Sequence, residues 1–220
     1  IEIAGRKVGP GREPFVICEL SGNHNGSLER ALTMIDAAAD TGCDAIKIQT
    51  YTADTITMNV DRPEFRIHGG LWDGRSLYEL YQEAQTPYEW HAALFERARA
   101  RGVILFSSPF DETAVDLLAG LDAPAYKIAS FEAVDLPLIR YAAAKGRPLI
   151  ISTGMANLAE IEAARDAALA GGASGVVLLH CVSSYPATFE DANVRTVADM
   201  AQRFGCPVGL SDHTPGSAAS

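Results

Sequence analysis

No apolar run in the sequence approaches the roughly 20 residues that a membrane-crossing helix needs; the longest, "RPLIIS" and "SGVVLLHCV", are far shorter. The opening stretch "IEIAGRKVGP" has no signal-peptide core, and a cytoplasmic location is expected. Positive charge is scarce: 18 Lys and Arg stand against 28 Asp and Glu, for a formal net charge of −10. That balance argues against a nucleic-acid or anionic-membrane surface, so any anionic ligand must be held by a local cluster of cations. The four cysteines (Cys18, Cys43, Cys181 and Cys206) form no CxxC pair, which favours reduced core thiols over disulfides or a zinc site. Also absent are GxGxxG and GxxxxGK, the phosphate-binding marks of open nucleotide-binding sheets.

What is present is alternation. With 220 residues and 48% hydrophobic content the chain can bury one sizeable core. Seven short apolar runs, "FVICEL", "AIKIQ", "VILFSS", "AYKIAS", "PLIIST", "GVVLLHC" and "PVGLS", alternate with six segments of helical period. Leu28, Ala31, Leu32, Ile35, Ala38 and Ala39 share one face behind Ser27 as N-cap, with Gly42 as stop. Asn157 and Glu160 form a capping box. Thr86, Pro87 and Glu89 suggest the same for "TPYEWHAALFERARARG", which ends at Gly102.

Repeated strand-helix units imply parallel strands. Without nucleotide-loop glycines the expected fold is α/β, a TIM-type (β/α)8 barrel, incomplete at its C-terminal end. Such barrels run to about 250 residues, and "HTPGSAAS" stops where a seventh helix should begin, so a longer protein is expected. Residues 1–14 are expected to form a small hairpin cap and 15–220 the barrel. The long segment from Tyr51 to Gln85 should lie over the barrel mouth.

Barrel catalysis sits at the C-terminal ends of the strands. Those ends carry Glu19; Lys47 and Gln49; Ser107 and Ser108; Lys127, Ser130 and Glu132; Ser152 and Thr153; His180, Ser183 and Tyr185; and Ser211 and His213. Any one serine is adequately explained as a helix cap. Two lysines between apolar neighbours, in "AIKIQ" and "AYKIAS", are harder to dismiss, because buried lysine needs a partner. Ion pairs with Glu19 and Glu132 would seldom add stability over apolar packing; an anionic ligand cradled by lysines and hydroxyls is the favoured reading. His213 alone is compatible with a core histidine, a metal ligand or an acid-base group.

Together "CELSGNHNGSLERA", "DAIKIQTYT", "FSSPFD", "YKIASFE", "ISTGM", "HCVSSYP" and "GLSDHT" resemble the N-terminal barrel of the sialic acid synthase family, from about Phe15 to Thr214 and in family order. The resemblance implies condensation of phosphoenolpyruvate with an acylamino sugar. It implies that Lys47, Ser108, Lys127, Ser130, Ser152, Ser183 and Ser211 hold phosphoenolpyruvate, that Glu19 and Glu132 are the acid-base carboxylates, and that Gln49, Trp72 and Tyr185 border the sugar. His213 would be one of two histidine ligands of a divalent metal, manganese first, with magnesium or cobalt as alternatives. A small antifreeze-like domain beyond this chain and a homodimer are implied as well. Trp72 and Ser183 stand where members using N-acetylmannosamine place asparagines; this departure, and the stretch "GGLWDGRSLYELYQEAQTPYEWH", suit a 2,4-diacetamido-2,4,6-trideoxy-L-altrose. Other sugars of the sialic and legionaminic type, a Schiff-base aldolase and a sugar-phosphate binding module without turnover are the competing readings.

Overall fold

Ser27 opens the first long helix by accepting a hydrogen bond from the Arg30 N–H at 3.2 Å, which satisfies one of the donors every helix start leaves unpaired. Local signals of this kind set most element boundaries in the computed structural model, which describes residues 1–69 and 72–219. The chain divides into two compact units, Phe15–Ala123 and Ile1–Pro14 with Pro124–Ser220.

In the unit Phe15–Ala123, β3 (Ile17–Glu19), β4 (Ala45–Thr50) and β5 (Ile104–Pro109) are parallel, with Glu19 opposite Lys47, and Gln49 opposite Ser108. Helices α1 (Leu28–Asp40) and α4 (His91–Arg101) pack together. They bury Ile35, Leu94, Phe95 and Ala98, while the outer face of β4 buries Ile46 and Ile48. Each large aliphatic side chain buried in this way contributes about 1.5–3 kcal/mol. On the surface Arg97 and Arg101 clamp Asp36 at 2.6 and 3.0 Å; such half-exposed pairs are worth about 0–1 kcal/mol. Gly102, at φ 69°, stops α4 in the left-handed cap that glycine adopts without strain. α5 (Glu112–Gly120) follows β5 behind an Asp111 N-cap.

Two expectations need correction here. Thr86 does not cap α4: residues Tyr88–Trp90 form a 3-10 turn and the α-helix begins only at His91. The Thr86 hydroxyl instead meets His24 Nε2 at 3.2 Å, a tertiary partner that outcompetes the local cap. Ser107 takes the parity of Ile48 and turns away from the face that carries Lys47. Its hydroxyl meets Thr50 Oγ1 at 2.6 Å, and Thr50 in turn meets His91 Nε2 at 2.8 Å, all fully buried. Burial pushes the His91 pKa down, so its ring is neutral. The segment between Tyr51 and Gln85 holds α2 (Ala53–Ile56), a loop closed by the Arg66–Ser76 bridge, and α3 (Leu77–Ala84) behind a Ser76–Glu79 capping box.

The other unit starts with a hairpin of β1 (Glu2–Ile3) and β2 (Arg6–Lys7), turned by Ala4 and Gly5, both at positive φ as tight hairpins require. Parallel strands β6 (Tyr126–Ile128), β7 (Leu149–Ser152), β8 (Val176–Cys181) and β9 (Val208–Ser211) follow in chain order. Helices α6 (Leu136–Ala143), α7 (Leu158–Ala170) and α8 (Arg195–Phe204) cover their outer residues. The Asn157–Glu160 capping box is present. Among the described residues no helix is long and apolar enough to cross a membrane.

Candidate active site

Alternation along parallel strands puts every second residue on one face. In the unit Phe15–Ala123 the face opposite Ile46 and Ile48 carries Lys47, Gln49, Phe106 and Ser108. Lys47 makes an ion pair with Glu19, and its Nζ lies 3.5 Å from Ser108 Oγ. Glu19 Oε1 also accepts from the Ser21 N–H at 2.9 Å, while its side chain is 40% exposed. The partner that Lys47 shows in this structure is thus a carboxylate of its own unit. The loop after β3 is stapled by His24, which is 4% exposed. Its Nδ1 accepts from the Gly26 N–H at 3.1 Å, which leaves Nε2–H to donate to Thr86. Burial lowers its pKa. Trp72 stands 45% exposed in the loop between Arg66 and Ser76, its carbonyl accepting from the Arg75 N–H; Gly70 and Leu71, beside it in the stretch singled out above, lie outside the described residues.

In the other unit the same alternation aligns Lys127, Ile150, Ser152, Leu179, Cys181 and Ser211 on one face. Lys127 is 8% exposed, Ser130 9% and Ser152 fully buried. Glu132, on the 3-10 turn Phe131–Val134 after β6, has its Oε2 buried with no hydrogen-bond partner, and Ser152 Oγ shares that condition. Orphaned polar atoms of this kind cost about 1–3 kcal/mol each and mark a surface shaped for something other than stability. Burial pushes the Glu132 carboxyl above its ordinary value, against a weaker downward pull from a backbone N–H and from the Lys127 charge.

His213 follows β9. Its Nδ1 meets the Val182 carbonyl at 2.9 Å and must donate there, which leaves Nε2 as the acceptor. The Tyr185 ring lies 4.2 Å from the His213 ring, centroid to centroid, and is itself mostly exposed. Cys181 Sγ is 3.9 Å from both His213 Nδ1 and Ser183 Oγ. Burial pushes this thiol up, but hydrogen bonding to His213, Ser130 and Ser211, with the His213 charge, outweighs it and brings the pKa to about 7. The bond with Cys181 raises His213 in return.

Besides Ser107, the strand ends differ from expectation at one pair of neighbours. His180, counted among the strand-end polar groups, points away and gives Nε2 to the Ala192 carbonyl at 2.8 Å. Cys181, read as a core thiol, occupies the inner position. The signal was available: counting by twos back from Ser183 selects Cys181. All four cysteines are free, yet only Cys181 is buried.

Comparison with known proteins places this arrangement. The family model described as "NeuB family" matches residues 34–220. Pseudaminic acid synthase of Campylobacter jejuni is 48% identical over 205 residues, covering 93% of this chain and 60% of that protein. N,N'-diacetyllegionaminic acid synthase of Legionella pneumophila is 37% identical, covering 92% and 58%. The chain thus spans about 60% of the length of the relatives it matches. Among solved structures, N-acetylneuraminic acid synthetase of Leptospira borgpetersenii, in complex with citrate, superposes with a TM-score of 0.86 at 31% identity, covering 98% of this chain and 70% of that one. The fold is that of the TIM-type barrels, with seven parallel strands among the described residues. By the family match over most of its length, this chain belongs to the NeuB family.

Proposed function

We propose that this chain is the barrel part of an enzyme that condenses phosphoenolpyruvate with 2,4-diacetamido-2,4,6-trideoxy-L-altrose to give pseudaminic acid and phosphate. The observation that carries the reading is the Glu132 Oε2, buried without a hydrogen-bond partner on the same unit as the buried Lys127 and the orphaned Ser152 hydroxyl. The 48% identity to a pseudaminic acid synthase supports the choice of sugar.

In this reading Lys127 and the hydroxyls of Ser130, Ser152, Ser183 and Ser211 hold the phosphate and carboxylate of phosphoenolpyruvate. A buried cation and several hydroxyls suit a dianion, because charge-assisted hydrogen bonds are about twice as strong as neutral ones. The family resemblance gives Lys47 and Ser108 to the same ligand, and Gln49, Trp72 and Tyr185 to the sugar. Carbon 3 of phosphoenolpyruvate bonds to the aldehyde carbon, and water adds at carbon 2 as positive charge develops there. Glu19, ion-paired with Lys47, takes a proton of that water, and the oxygen of the former aldehyde receives it. Glu132, whose pKa is raised by burial, gives its proton to the bridging oxygen as the C–O bond breaks and phosphate leaves, and its carboxylate takes back the hydroxyl proton at carbon 2 as the ketone forms.

For a divalent metal, manganese first, His213 fits as one ligand. Its Nδ1–H is fixed by the Val182 carbonyl, which leaves Nε2 as the nitrogen that would bind the metal. Among the described residues no three His, Cys, Asp or Glu side chains stand together as a metal site, so this chain offers a single arm. When bound, the metal polarises the sugar's aldehyde oxygen as a Lewis acid. The same reading makes the full-length enzyme a cytoplasmic homodimer.

The test is phosphate release from phosphoenolpyruvate by the full-length protein with a panel of acylamino sugars. Turnover of the trideoxy altrose with little or none of N-acetylmannosamine is expected. Comparable efficiency on both sugars overturns the choice of sugar, and no release with any of them overturns the reaction.

A further inference from the structure

Between Ser152 and Met155 the chain leaves β7 and turns. The left-handed position of this turn is held by Met155, at φ 69°, and not by Gly154, whose φ lies outside the region that favours glycine. The backbone would therefore accept an L side chain at Gly154. Space forbids it: a Cβ there would stand 2.4 Å from Ser183 Oγ, 2.9 Å from Ser130 Oγ and 3.0 Å from the Cys181 carbonyl oxygen.

Two of those three neighbours are the hydroxyls assigned above to the anionic ligand. The geometry points to Gly154 as a positioning residue, whose missing side chain lets the Ser130 and Ser183 hydroxyls converge from the segments after β6 and β8 on one place. This inference rests on the reading of those serines as ligands of phosphoenolpyruvate. Serine hydroxyls move between staggered rotamers at small cost, so a methyl at position 154 would turn both aside and leave strand pairing in place. The Cys181 carbonyl needs to give by only a few tenths of an ångström. The collision thus falls on the ligand cradle before it falls on the fold.

The experiment compares Gly154→Ala in two full-length backgrounds, wild type and Ser183→Ala, by calorimetric titration with phosphoenolpyruvate and by melting temperature. In the wild-type background Gly154→Ala should weaken binding at least tenfold and raise KM for phosphoenolpyruvate more than it lowers kcat, with a melting temperature close to wild type. In the Ser183→Ala background, where the atom met at 2.4 Å is gone, the further loss should be several-fold smaller, since contacting positions are not additive. Equal losses in both backgrounds, or no loss in either, overturn the inference. If Gly154→Ala is too unstable to titrate, the melting temperatures decide: recovery in the Ser183→Ala background supports a clash with the hydroxyl, and an unrecovered protein overturns it. Wild type that fails to bind phosphoenolpyruvate refutes the ligand reading instead, and the pair of melting temperatures still judges the collision.

Discussion

Each of the two units sets an inward lysine near a glutamate that follows or ends a strand, yet the two carboxyls meet different surroundings. Lys47 and Glu19 form a direct ion pair with the carboxylate 40% open to solvent and hydrogen-bonded to a backbone N–H. Glu132 sits near Lys127 with one oxygen buried and unpartnered, and burial dominates over the lysine's attraction to raise its pKa. The same two residue types thus make an ion pair in one region and leave a carboxyl with a raised pKa in the other. Environment, more than identity, would divide the acid role proposed for Glu132 from the base role proposed for Glu19.

The sharpest way to break that contrast is Glu132→Gln in the full-length enzyme, which keeps the shape and removes the proton. kcat should fall about 10²–10⁴-fold, the range of a lost general acid, with phosphoenolpyruvate binding retained. Loss of binding with kcat unchanged would give Glu132 to the ligand cradle instead. The substitution also has a stability signature. Because the folded-state pKa of Glu132 is raised above the ordinary 4.5, the folded protein keeps a proton that the unfolded chain releases. Its contribution is full below about pH 4.5 and is lost as pH rises through the raised value. Glu132→Gln should remove that decline, seen as a flatter dependence of melting temperature on pH above 4.5; an unchanged profile would mean the carboxyl titrates normally.

A smaller effect separates the lysines. Lys127→Ala should weaken phosphoenolpyruvate binding about 100-fold, since a buried cation loses charge-assisted bonds of roughly 1.5–3 kcal/mol each. Lys47→Ala should cost about tenfold, because Lys47 already shares its charge with Glu19 in a partly solvated setting where pairs are worth less. Calorimetric titration of both variants checks this order, and equal losses would erase the distinction between the units.

Much of the fold was legible because its signals are local. The Ser27 cap, the Asn157–Glu160 box and the Gly102 stop each depend on residues within four positions, and all three stand where the sequence puts them. Thr86 carried an equally good local signal and failed, because His24, 62 residues away, claims its hydroxyl. The period-2 alternation that turns Lys47 inward also turns His180 outward and Cys181 inward, so that part of the site was readable and was misread. The raised pKa of Glu132 was not readable, since it arises from burial that only the packed chain creates. Nor was the role inferred for Gly154: nothing in "ISTGM" says that hydroxyls from two other segments crowd the space its side chain would fill.

The central claim is that phosphate leaves by C–O cleavage with Glu132 as the acid. It is tested most directly with phosphoenolpyruvate carrying ¹⁸O at its bridging oxygen, turned over by the full-length enzyme with the trideoxy altrose and analysed by mass spectrometry. The account predicts the label in the released phosphate, with formation of labelled phosphate slowed in parallel with turnover in Glu132→Gln. Label retained in the sugar acid would mean that the P–O bond breaks and would contradict the account.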